Sequence, residues 1–369
     1  MEKQKILLFG YWENNLGDDL FLKIFSDRYP DKQLFILTKK KYKSVYSSSN
    51  IKAVAYDSFF YRVANKIIKL FNLPDMFYTF FAKKVDSAVC LGGSLFMEKG
   101  QWVQQIDNLN YVVKHCEKTF VIGSNFGPYY SKRFFDLYHE MFSKMKGICF
   151  REKTSYNLFS NLTNVRFAPD VVLNLKYQKA TQLRKKLGNY YIISVINLEI
   201  RDELRPLKKS YERKIAEIAS NIIDHGSKVI LMSFCNEEGD LLTANTIRSL
   251  LKNKVENIDV YSHKDTGESL DIIANSKGIV ATRLHAMILA WVFNKPVFPI
   301  AYSEKMTNII KDYSFDNEYT KINVIDKLNA EDVYRFLQKK PNIPSYIYDN
   351  AEMHFSDVDY LSEKPTLLN

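Results

Sequence analysis

Short runs of apolar and β-branched residues alternate with amphipathic stretches along this chain, and the alternation restricts the fold more than any other feature. The runs form two series, which cover residues 6–9, 34–37, 53–55, 88–91, 119–122 and 147–150, and then 191–196, 228–232, 258–261, 278–281 and 297–300. Amphipathic stretches such as 134–145 and 215–223 lie between the runs. Strands that alternate with helices pair in parallel and are covered on both faces. The sequence therefore predicts an α/β protein with parallel sheets.

The length of 369 residues exceeds what one core usually organises and suits two domains. A polar, lysine-rich stretch at about 175–189 separates the two series of runs. We therefore predict a first domain at 1–178, a second domain at 188–340 and a C-terminal tail at 341–369. The tail is polar, and we expect irregular structure there with at most one helix.

Composition narrows the class of protein. Hydrophobic residues make up 46% of the chain and charged residues 25%, which favours a globular core over disorder. The four cysteines lack CxxC spacing, which predicts buried thiols in a reducing compartment and neither a disulfide framework nor a zinc site. The N-terminal sequence leads straight into a strand, and no window of about 18 residues is apolar throughout. We therefore expect a cytoplasmic protein without a membrane span.

The net charge of +10 is spread along the whole chain, and no block of Lys and Arg with interleaved stacking aromatics stands out. We therefore predict no nucleic-acid partner, whereas an anionic membrane surface and anionic small substrates both fit. The segment 59–84 combines large apolar residues with Arg62, Lys66, Lys69, Lys83 and Lys84. At helical spacing it is either a basic amphipathic face for peripheral association with an anionic membrane surface, or a crossover helix that covers the sheet.

The loops that follow the strands are the candidate sites, because open parallel sheets bind ligands beyond the carboxyl ends of their strands. The first loop contains Asn15, Gly17 and Asp18 and then enters a helix. Gly17 allows a ligand close to the backbone, and Asp18 is expected either to cap the helix or to act as a base. Asp18 and Asp19 would also suit a metal, but adjacent acids at a helix start more often act as a cap and a dipole partner. We predict no metal.

Two later loops are rich in small and polar residues. At the exits of the fourth and fifth runs they contain Gly92, Gly93, Ser94, Gly123, Ser124 and Asn125. The glycines either present backbone N–H groups to an oxyanion or sugar, or form tight turns with positive φ. Arg151, at the exit of the sixth run, suits a carboxylate or phosphate ligand. The alternative for Arg151 is an ion pair with Glu152 or another neighbour.

The loop after residues 278–281 breaks a local rule. Thr282 is the predicted N-cap of an apolar helix, and Arg283 and His285 fall in its first turn. A helix N-terminus prefers anions, so each cation there costs about 0.3–1 kcal/mol, and a bound anion reverses that penalty. A rule broken without local compensation indicates function; the alternative is a core histidine with a solvent-facing arginine. Lys305, in the loop after the next run, is expected to reach the same anion.

Seven stretches between about residues 6 and 310 together resemble the polysaccharide pyruvyltransferase family. In order they are GYWENNLGDD, GGSLF, IGSNFGP, FREKTS, APDVVL, ATRLHA and PIAYSEK. The most specific pair is TRLHA followed by the Tyr-Ser-x-Lys loop. Family members often have another glycine in the first loop, where this chain has Trp12 and Glu13. Because that loop is expected to face the acceptor, the departure leaves the identity of the acceptor sugar open.

The resemblance implies a GT-B-like fold of two Rossmann-like domains with an interdomain cleft, the donor site lying in the second domain and the acceptor side in the first. It implies transfer of pyruvate from phosphoenolpyruvate to two hydroxyls of a sugar, which forms a cyclic ketal and releases phosphate without a cofactor. The acceptor is expected to be a sugar of a capsule, an exopolysaccharide or its lipid-linked precursor. The family's donor residues correspond to Arg283, Leu284, His285 and Arg151, and the same loops add Thr282, Ser303 and Lys305.

The chemistry of such a donor suits these side chains. A carboxylate and a phosphate need several convergent cations, and the proton for the methylene carbon suits His285 as a general acid. Asp18 is the candidate for orienting or deprotonating the acceptor hydroxyl. Two alternatives stay open: a nucleotide-sugar glycosyltransferase of the same architecture, in which Glu304 would hold the ribose, and a non-catalytic glycan-binding assembly protein.

Overall fold

The computed structural model describes residues 3–71, 73–177, 188–313, 319–341 and 343–362. The chain divides into two compact units. The first unit comprises Met1–Glu13, Phe21–Asn174 and Tyr346–Asn369, and the second comprises Asn14–Leu20 and Leu175–Ser345. The chain thus leaves the first unit at Asn174, next to the predicted division. Two segments depart from the simple order predicted from the sequence: residues 14–20 belong to the second unit, and the C-terminal residues belong to the first.

The first unit is built on a seven-stranded parallel sheet. Its strands are β1 (Lys5–Phe9), β2 (Gln33–Thr38), β3 (Ile51–Ala55), β4 (Ser87–Leu91), β5 (Thr119–Ser124), β6 (Gly147–Phe150) and β7 (Val165–Phe167). Their order across the sheet is β3-β2-β1-β4-β5-β6-β7. Every pairing is parallel, as in Leu7 with Ala88 between β1 and β4.

The second unit repeats this plan with six strands. They are β8 (Tyr190–Val195), β9 (Lys228–Ser233), β10 (Ile258–Ser262), β11 (Ile279–Ala281), β12 (Val297–Ala301) and β13 (Thr320–Lys321). Their order is β10-β9-β8-β11-β12-β13, again parallel throughout. The predicted fold class, two Rossmann-like domains with parallel sheets, is confirmed.

Helices lie between the strands. In chain order they are α1 (Leu16–Arg28), α2 (Lys43–Tyr46), α3 (Phe59–Leu70), α4 (Met76–Phe81), α5 (Trp102–His115), α6 (Lys132–Ser143), α7 (Lys153–Leu158), α8 (Lys208–Asp224), α9 (Asp240–Ser249), α10 (Thr266–Asn275), α11 (Leu284–Val292), α12 (Glu304–Asp312), α13 (Ala330–Phe336), α14 (Tyr346–Ala351) and α15 (Ser356–Ser362). The predicted helical stretches 134–145 and 215–223 correspond to α6 and α8. Both helices bury one face against their sheet, for example through Tyr138 and Ile215, which are fully buried.

The eleven strands predicted from apolar runs are all present, and their ends differ from the prediction by at most two residues. The strands β7 and β13 were not predicted. Each lies at an edge of its sheet and is very short, and each contains a charged residue, Arg166 or Lys321. An edge strand needs only one paired neighbour, so it carries little of the apolar signal that marks a buried strand.

The C-terminal segment is an ordered part of the first unit, and the expected irregular tail is wrong for residues 346–362. The helices α14 and α15 pack against the first sheet and the loop before Asn174, whose side-chain amide donates to the carbonyl of Ala351 at 3.0 Å. Arg28 of α1 forms an ion pair with Asp359 at 2.5 Å. His354 is 2% exposed and donates from Nε2 to the carbonyl of Pro169 at 2.7 Å.

The buried His354 makes stability depend on pH. Burial lowers its pKa from 6.5 to about 4. Below pH 6.5 the unfolded chain therefore binds a proton that the folded chain refuses until about pH 4, and stability should decrease over that interval by about 3 kcal/mol. Urea unfolding at several pH values measures this. His354→Gln, which keeps the N–H donor without a titrating ring, should flatten the decrease, whereas the control His139→Gln, at a half-buried ring of α6, should leave it unchanged. An equally steep decrease in both variants would contradict the assignment.

Candidate functional site

Each sheet reverses its strand order at one point, and the loops that leave the sheet there are the candidate ligand edges. In the first unit the reversal lies between β1 and β4, and in the second unit between β8 and β11. The loop after β11 begins with Thr282 and Arg283, and the loop after the adjacent strand β12 begins with Tyr302 and Ser303. The sequence-predicted donor residues other than Arg151, which belongs to the first unit, therefore lie in loops at the reversal of the second sheet.

The start of α11 differs from the predicted cap. Thr282 is not the N-cap: it is fully buried, and its Oγ1 is bonded to the Tyr211 hydroxyl at 3.1 Å. The N-cap is Arg283, which provides no side-chain cap. The hydroxyl of Ser194, at the end of β8, accepts from the backbone N–H groups of Thr282 and Arg283 at 3.0 and 3.1 Å. The turn is thus fixed from the neighbouring strand.

Arg283 is held by two carboxylates. Its guanidinium donates to both oxygens of Asp240, from Nε at 2.9 Å and from Nη2 at 2.5 Å. Nη1 donates to Glu238 at 2.9 Å. Arg283 is 8% exposed and Asp240 is fully buried. The cationic turn is therefore compensated within the fold, and the premise that its charge lacked a local partner is wrong. The local sequence does not reveal these ion pairs, because the two carboxylates lie more than 40 residues before Arg283.

Glu238 joins a second arginine to the cluster. It accepts from Arg201 at 2.7 Å as well as from Arg283. Although burial alone would raise the pKa of Glu238, the two guanidinium groups lower it to about 2. Glu238 is therefore an anion at every physiological pH, and it ties the loop after β8 to the start of α11.

The hydroxyl of Tyr302 is affected by several charged side chains at once. Burial alone would raise the pKa of its hydroxyl, yet Lys305, Arg283 and Arg201 lower the pKa below its usual range. The Arg201 guanidinium lies 5.3 Å from the Tyr302 ring centre and the Lys305 ammonium 5.9 Å. Three cationic side chains and two carboxylates meet here, so the formal balance is positive.

Ser303 adds an unsatisfied polar atom to the same edge. It is the N-cap of α12 but makes no side-chain cap bond. Its hydroxyl oxygen is buried and has no hydrogen-bond partner among the described residues. Buried hydroxyls are normally satisfied, so this atom next to Tyr302 favours a site that a polar ligand completes.

His285 packs against the backbone of Gly17. A Cβ added at position 17 would overlap the imidazole ring at Nδ1, so only glycine allows the ring to lie there. Both residues belong to the second unit. The predicted acceptor loop and the predicted general acid are therefore neighbours in space.

The segment 14–20 is anchored to the second unit at several points. Asn15 forms a β-bridge with Cys235, and Leu16 donates its N–H to the carbonyl of Phe234 at 3.0 Å. Asp19 contacts His263 Nε2 at 2.8 Å, and both side chains are buried. The helix cap is provided by Asn15, whose Oδ1 accepts from the Gly17 N–H at 3.1 Å. Asp18 is thus not the cap, and it lies partly buried in the first turn of α1.

The predicted residues of the first unit form one buried network at the exits of β4, β5 and β6. Arg151 donates to Asp170 at 3.0 Å and to Asn125 at 2.8 Å, and it is 1% exposed. Ser94 donates to the same oxygen of Asn125 at 3.2 Å. A Cβ at Gly93 would overlap the Arg151 guanidinium. Arg151 thus holds the loops after β4 and β5 in place. Its role in binding the donor stays a prediction.

Around this network the other small residues have structural roles of their own. Ser124 donates to the carbonyl of Gly92 at 2.5 Å. Gly123 has a φ of 74° and lies against Phe21 and Val171. The tight-turn alternative therefore applies to Gly123, and whether this edge also binds a sugar stays a prediction.

No group of three or more His, Cys, Asp or Glu side chains is placed to hold a metal ion among the residues that the structure describes. The four cysteines are buried and free, as predicted. Of the helices described, none is long and apolar enough to cross a membrane.

The sequence profile of the polysaccharide pyruvyl transferase family matches residues 15–304. The chain belongs to this family. The match starts in the loop that is anchored on the second unit and ends at the first residue of α12. It therefore includes Arg283, His285 and Ser303 and stops one residue before Lys305. A related protein is the amylovoran biosynthesis protein AmsJ of Erwinia amylovora, which is 22% identical over 251 residues. That alignment covers 62% of this chain and 60% of AmsJ.

Solved structures share the fold of this transferase-family chain. The UDP-GlcNAc 2-epimerase of Methanocaldococcus jannaschii, in complex with UDP-GlcNAc and UDP, has a TM-score of 0.63 at 11% identity, over 98% of this chain and 99% of that protein. The ADP-heptose lipopolysaccharide heptosyltransferase II of E. coli has a TM-score of 0.51 at 12% identity, over 91% and 97%. At such identities the likeness establishes the GT-B type of fold and nothing about the ligand.

Sequence reasoning missed four residues of the second-unit edge: Arg201, Glu238, Asp240 and Tyr302. Their positions follow from the order of strands, because the loops after β8, β9 and β12 converge on the loop after β11. Tyr302 carried a signal, since it precedes the predicted Ser303 and Lys305. Arg201, Glu238 and Asp240 carried none, being ordinary charged residues in polar loops.

The ion cluster should be essential for stability. Asp240→Asn leaves the buried Arg283 with one carboxylate, and we expect a loss of about 3–5 kcal/mol in unfolding free energy, measured by urea unfolding. Asp202→Asn is the matched control, because Asp202 pairs with Arg205 at 2.6 Å but is 90% exposed. That surface pair should contribute about 0–1 kcal/mol. Equal losses in the two variants would refute a structural role for the cluster.

Gly17→Ala should displace His285 without unfolding the chain. Alanine is the better helix former by about 0.5–1 kcal/mol, so any effect on the ring comes from the new methyl group. The His285 imidazole signals in a ¹H–¹³C correlation spectrum, assigned with His285→Gln, should shift. The matched control is Gly267→Ala in the first turn of α10, where the nearest atom to the new Cβ is Asp265 Oδ1 at 3.2 Å. Unchanged His285 signals in Gly17→Ala would show that the two residues are not in contact.

Proposed function

We propose that this protein transfers pyruvate from phosphoenolpyruvate to two hydroxyls of a sugar, in a surface polysaccharide or its lipid-linked precursor. The product is a cyclic pyruvate ketal, and phosphate is released. Family membership supports a transferase of this class. The observation that carries the donor assignment is the convergence of Lys305, Arg283 and Arg201 on the half-buried Tyr302, whose pKa these three cations lower. A positive field at a sheet reversal is suited to a small, multiply charged anion.

The donor anion fits this edge in charge and in hydrogen bonding. An arginine has five N–H donors in a planar fork. Among the contacts of described residues, Arg283 uses three of them on Asp240 and Glu238, so it retains donors for an oxyanion. Lys305 supplies a point charge, and the Ser303 hydroxyl supplies a polar atom that lacks a partner in the described part of the chain. The first N–H groups of α11 add to the same field.

The reaction balances in four events. A proton is added to the methylene carbon of phosphoenolpyruvate, which makes the central carbon electrophilic. The oxygen of one sugar hydroxyl forms a bond to that carbon and loses its proton. The bond between the carbon and the phosphate oxygen breaks, and phosphate leaves with the electron pair. The second hydroxyl then closes the ring and loses its proton. One hydroxyl proton balances the new methyl group, and the other ends on phosphate.

His285 is assigned the proton transfer to carbon. Histidine gives and takes protons near neutral pH, and the contact with Gly17 fixes the position of this ring. Asp18 follows Gly17 in the same turn, and we assign it to the acceptor hydroxyl as the orienting or accepting group. The acceptor contacts at residues 92–94 and 123–125 belong to this proposal as well.

The direct test is incubation with phosphoenolpyruvate and a panel of lipid-linked and nucleotide-linked oligosaccharides. We expect phosphate release together with an acceptor mass gain equal to pyruvic acid minus water. A nucleotide-sugar glycosyltransferase would instead be stabilised by a nucleotide sugar and add a whole sugar. A non-catalytic glycan-binding protein would release no phosphate and would leave the acceptor mass unchanged. Either of these two results would overturn the proposal.

Variants separate binding from chemistry. His285→Gln should lower kcat about 10²–10⁴-fold with little change in phosphoenolpyruvate binding. The control His225→Gln changes an exposed ring at the end of α8 and should leave kcat unchanged. Lys305→Ala should raise KM for phosphoenolpyruvate more than it lowers kcat. Arg283→Ala is the less informative variant, because Arg283 also neutralises two carboxylates inside the fold. A His285→Gln variant with full turnover would exclude His285 as the acid.

A further inference from the structure

The helix α3 presents apolar side chains to solvent over its whole length. Phe59, Phe60 and Leu70 are 75%, 84% and 81% exposed. Val63 and Ile67 are also exposed, and so is Phe71 at the C-cap. The segment 59–84 does cover the sheet in part, since Tyr61 and Phe77 belong to its buried cluster, but the exposed residues named here lie outside that cluster. Contiguous exposed apolar surface is rare on a soluble protein and marks an interaction site.

The exposed apolar residues share one side of the helix. Phe59, Val63, Ile67 and Leu70 follow the spacing i, i+4, i+8 and i+11, which brings them onto one face. Tyr61 lies on the opposite side and is buried, and its hydroxyl donates to Asp75 at the start of α4. The helix is thus held to the first unit by one face while the apolar face points away from it.

Basic residues border this apolar face on both sides. Along one border lie Arg62, Lys66 and Lys69, all exposed. Across the other border, a cavity of about 490 Å³ is lined by Phe60 and by Lys40 and Lys43 of the preceding segment.

The five basic residues at the borders outnumber the two acidic residues that flank α3. The sequence of α3 contains no Asp or Glu. Before α3, Asp57 accepts from the backbone N–H of Lys40 at 2.6 Å. After it, Asp75 accepts from Asn65 at 2.9 Å and from the N–H of Phe77 at 3.0 Å. The surface is therefore apolar at its centre and positive at its borders.

We propose that α3 docks on an anionic lipid bilayer, with its apolar face in the headgroup region and its basic borders on the lipid phosphates. Twelve residues are too few to span a bilayer, which needs about 20. The same pattern is typical of helices that lie in the plane of the interface. Large exposed aromatic residues beside lysine match a lipid surface, which is apolar below an anionic layer. A second copy of this chain would bring the two sets of basic borders together and fits less well.

The test is sedimentation of the full chain with vesicles, which needs no substrate and is thus independent of the ketal assay. Vesicles of phosphatidylcholine containing phosphatidylglycerol should sediment the protein, and pure phosphatidylcholine vesicles should do so much less. Raised salt should weaken the binding, because the charged contribution is screened. Phe60→Ser with Leu70→Ser should lower the partition coefficient at least about tenfold. Lys66→Ser with Lys69→Ser should lower it about tenfold or more on anionic vesicles only.

Matched controls use exposed residues that belong to elements other than α3. Leu242→Ser with Tyr130→Ser removes two side chains that are 67% and 78% exposed, and Lys252→Ser with Lys311→Ser removes two exposed lysines. Both should leave vesicle binding unchanged, and circular dichroism should show all variants folded. The proposal is overturned if the α3 variants bind vesicles like the controls, or if the unchanged chain does not bind anionic vesicles. It is also overturned if light scattering shows a dimer that Phe60→Ser with Leu70→Ser converts to a monomer while vesicles are ignored.

Discussion

The guanidinium of Arg283 is fixed by Asp240 and Glu238 at the point where the second sheet reverses its strand order, and the candidate site depends on that interaction. Breaking a buried pair of this kind strands a charge inside the protein, so the cluster resists distortion. It sets the start of α11, and with it the position of His285. Through Glu238 it also holds Arg201 beside Tyr302. The positions of Arg283 and Arg201 are therefore set by buried ion pairs within the second unit.

The alternation of apolar runs and amphipathic stretches was enough to predict the architecture. Strands buried on both faces, such as β4 and β9, carry their own signal because nearly all their residues are apolar. The edge strands β7 and β13 were not predicted because few of their residues are buried. Residues 14–20 and 346–362 could not be assigned to their units from sequence, because their partners lie far along the chain. Cys235 bridges Asn15, and Pro169 binds His354.

The candidate site was predicted in part, and the limits have a physical cause. Arg283 and His285 stand out because each conflicts with its local context, and Lys305 was predicted because its loop follows the next strand. Glu238, Asp240 and Arg201 conflict with nothing locally, and only the fold brings them to Arg283. The same limit explains why Arg283 was expected to lack compensation and why Thr282 was expected to cap α11. On α3 the reverse holds: the sequence showed the amphipathic pattern, and only the structure shows that its apolar side faces solvent.

The proposed donor is a multiply charged anion that binds at the loops after β11 and β12, where Arg201, Arg283 and Lys305 surround Tyr302. A crystal structure of the protein soaked with phosphoenolpyruvate tests this proposal most directly. Density for the phosphate and carboxylate is expected in these loops, in contact with Lys305 or Arg283 and with the methylene carbon facing His285. Phosphoenolpyruvate bound away from these loops, or a nucleotide sugar occupying them in its place, would contradict it.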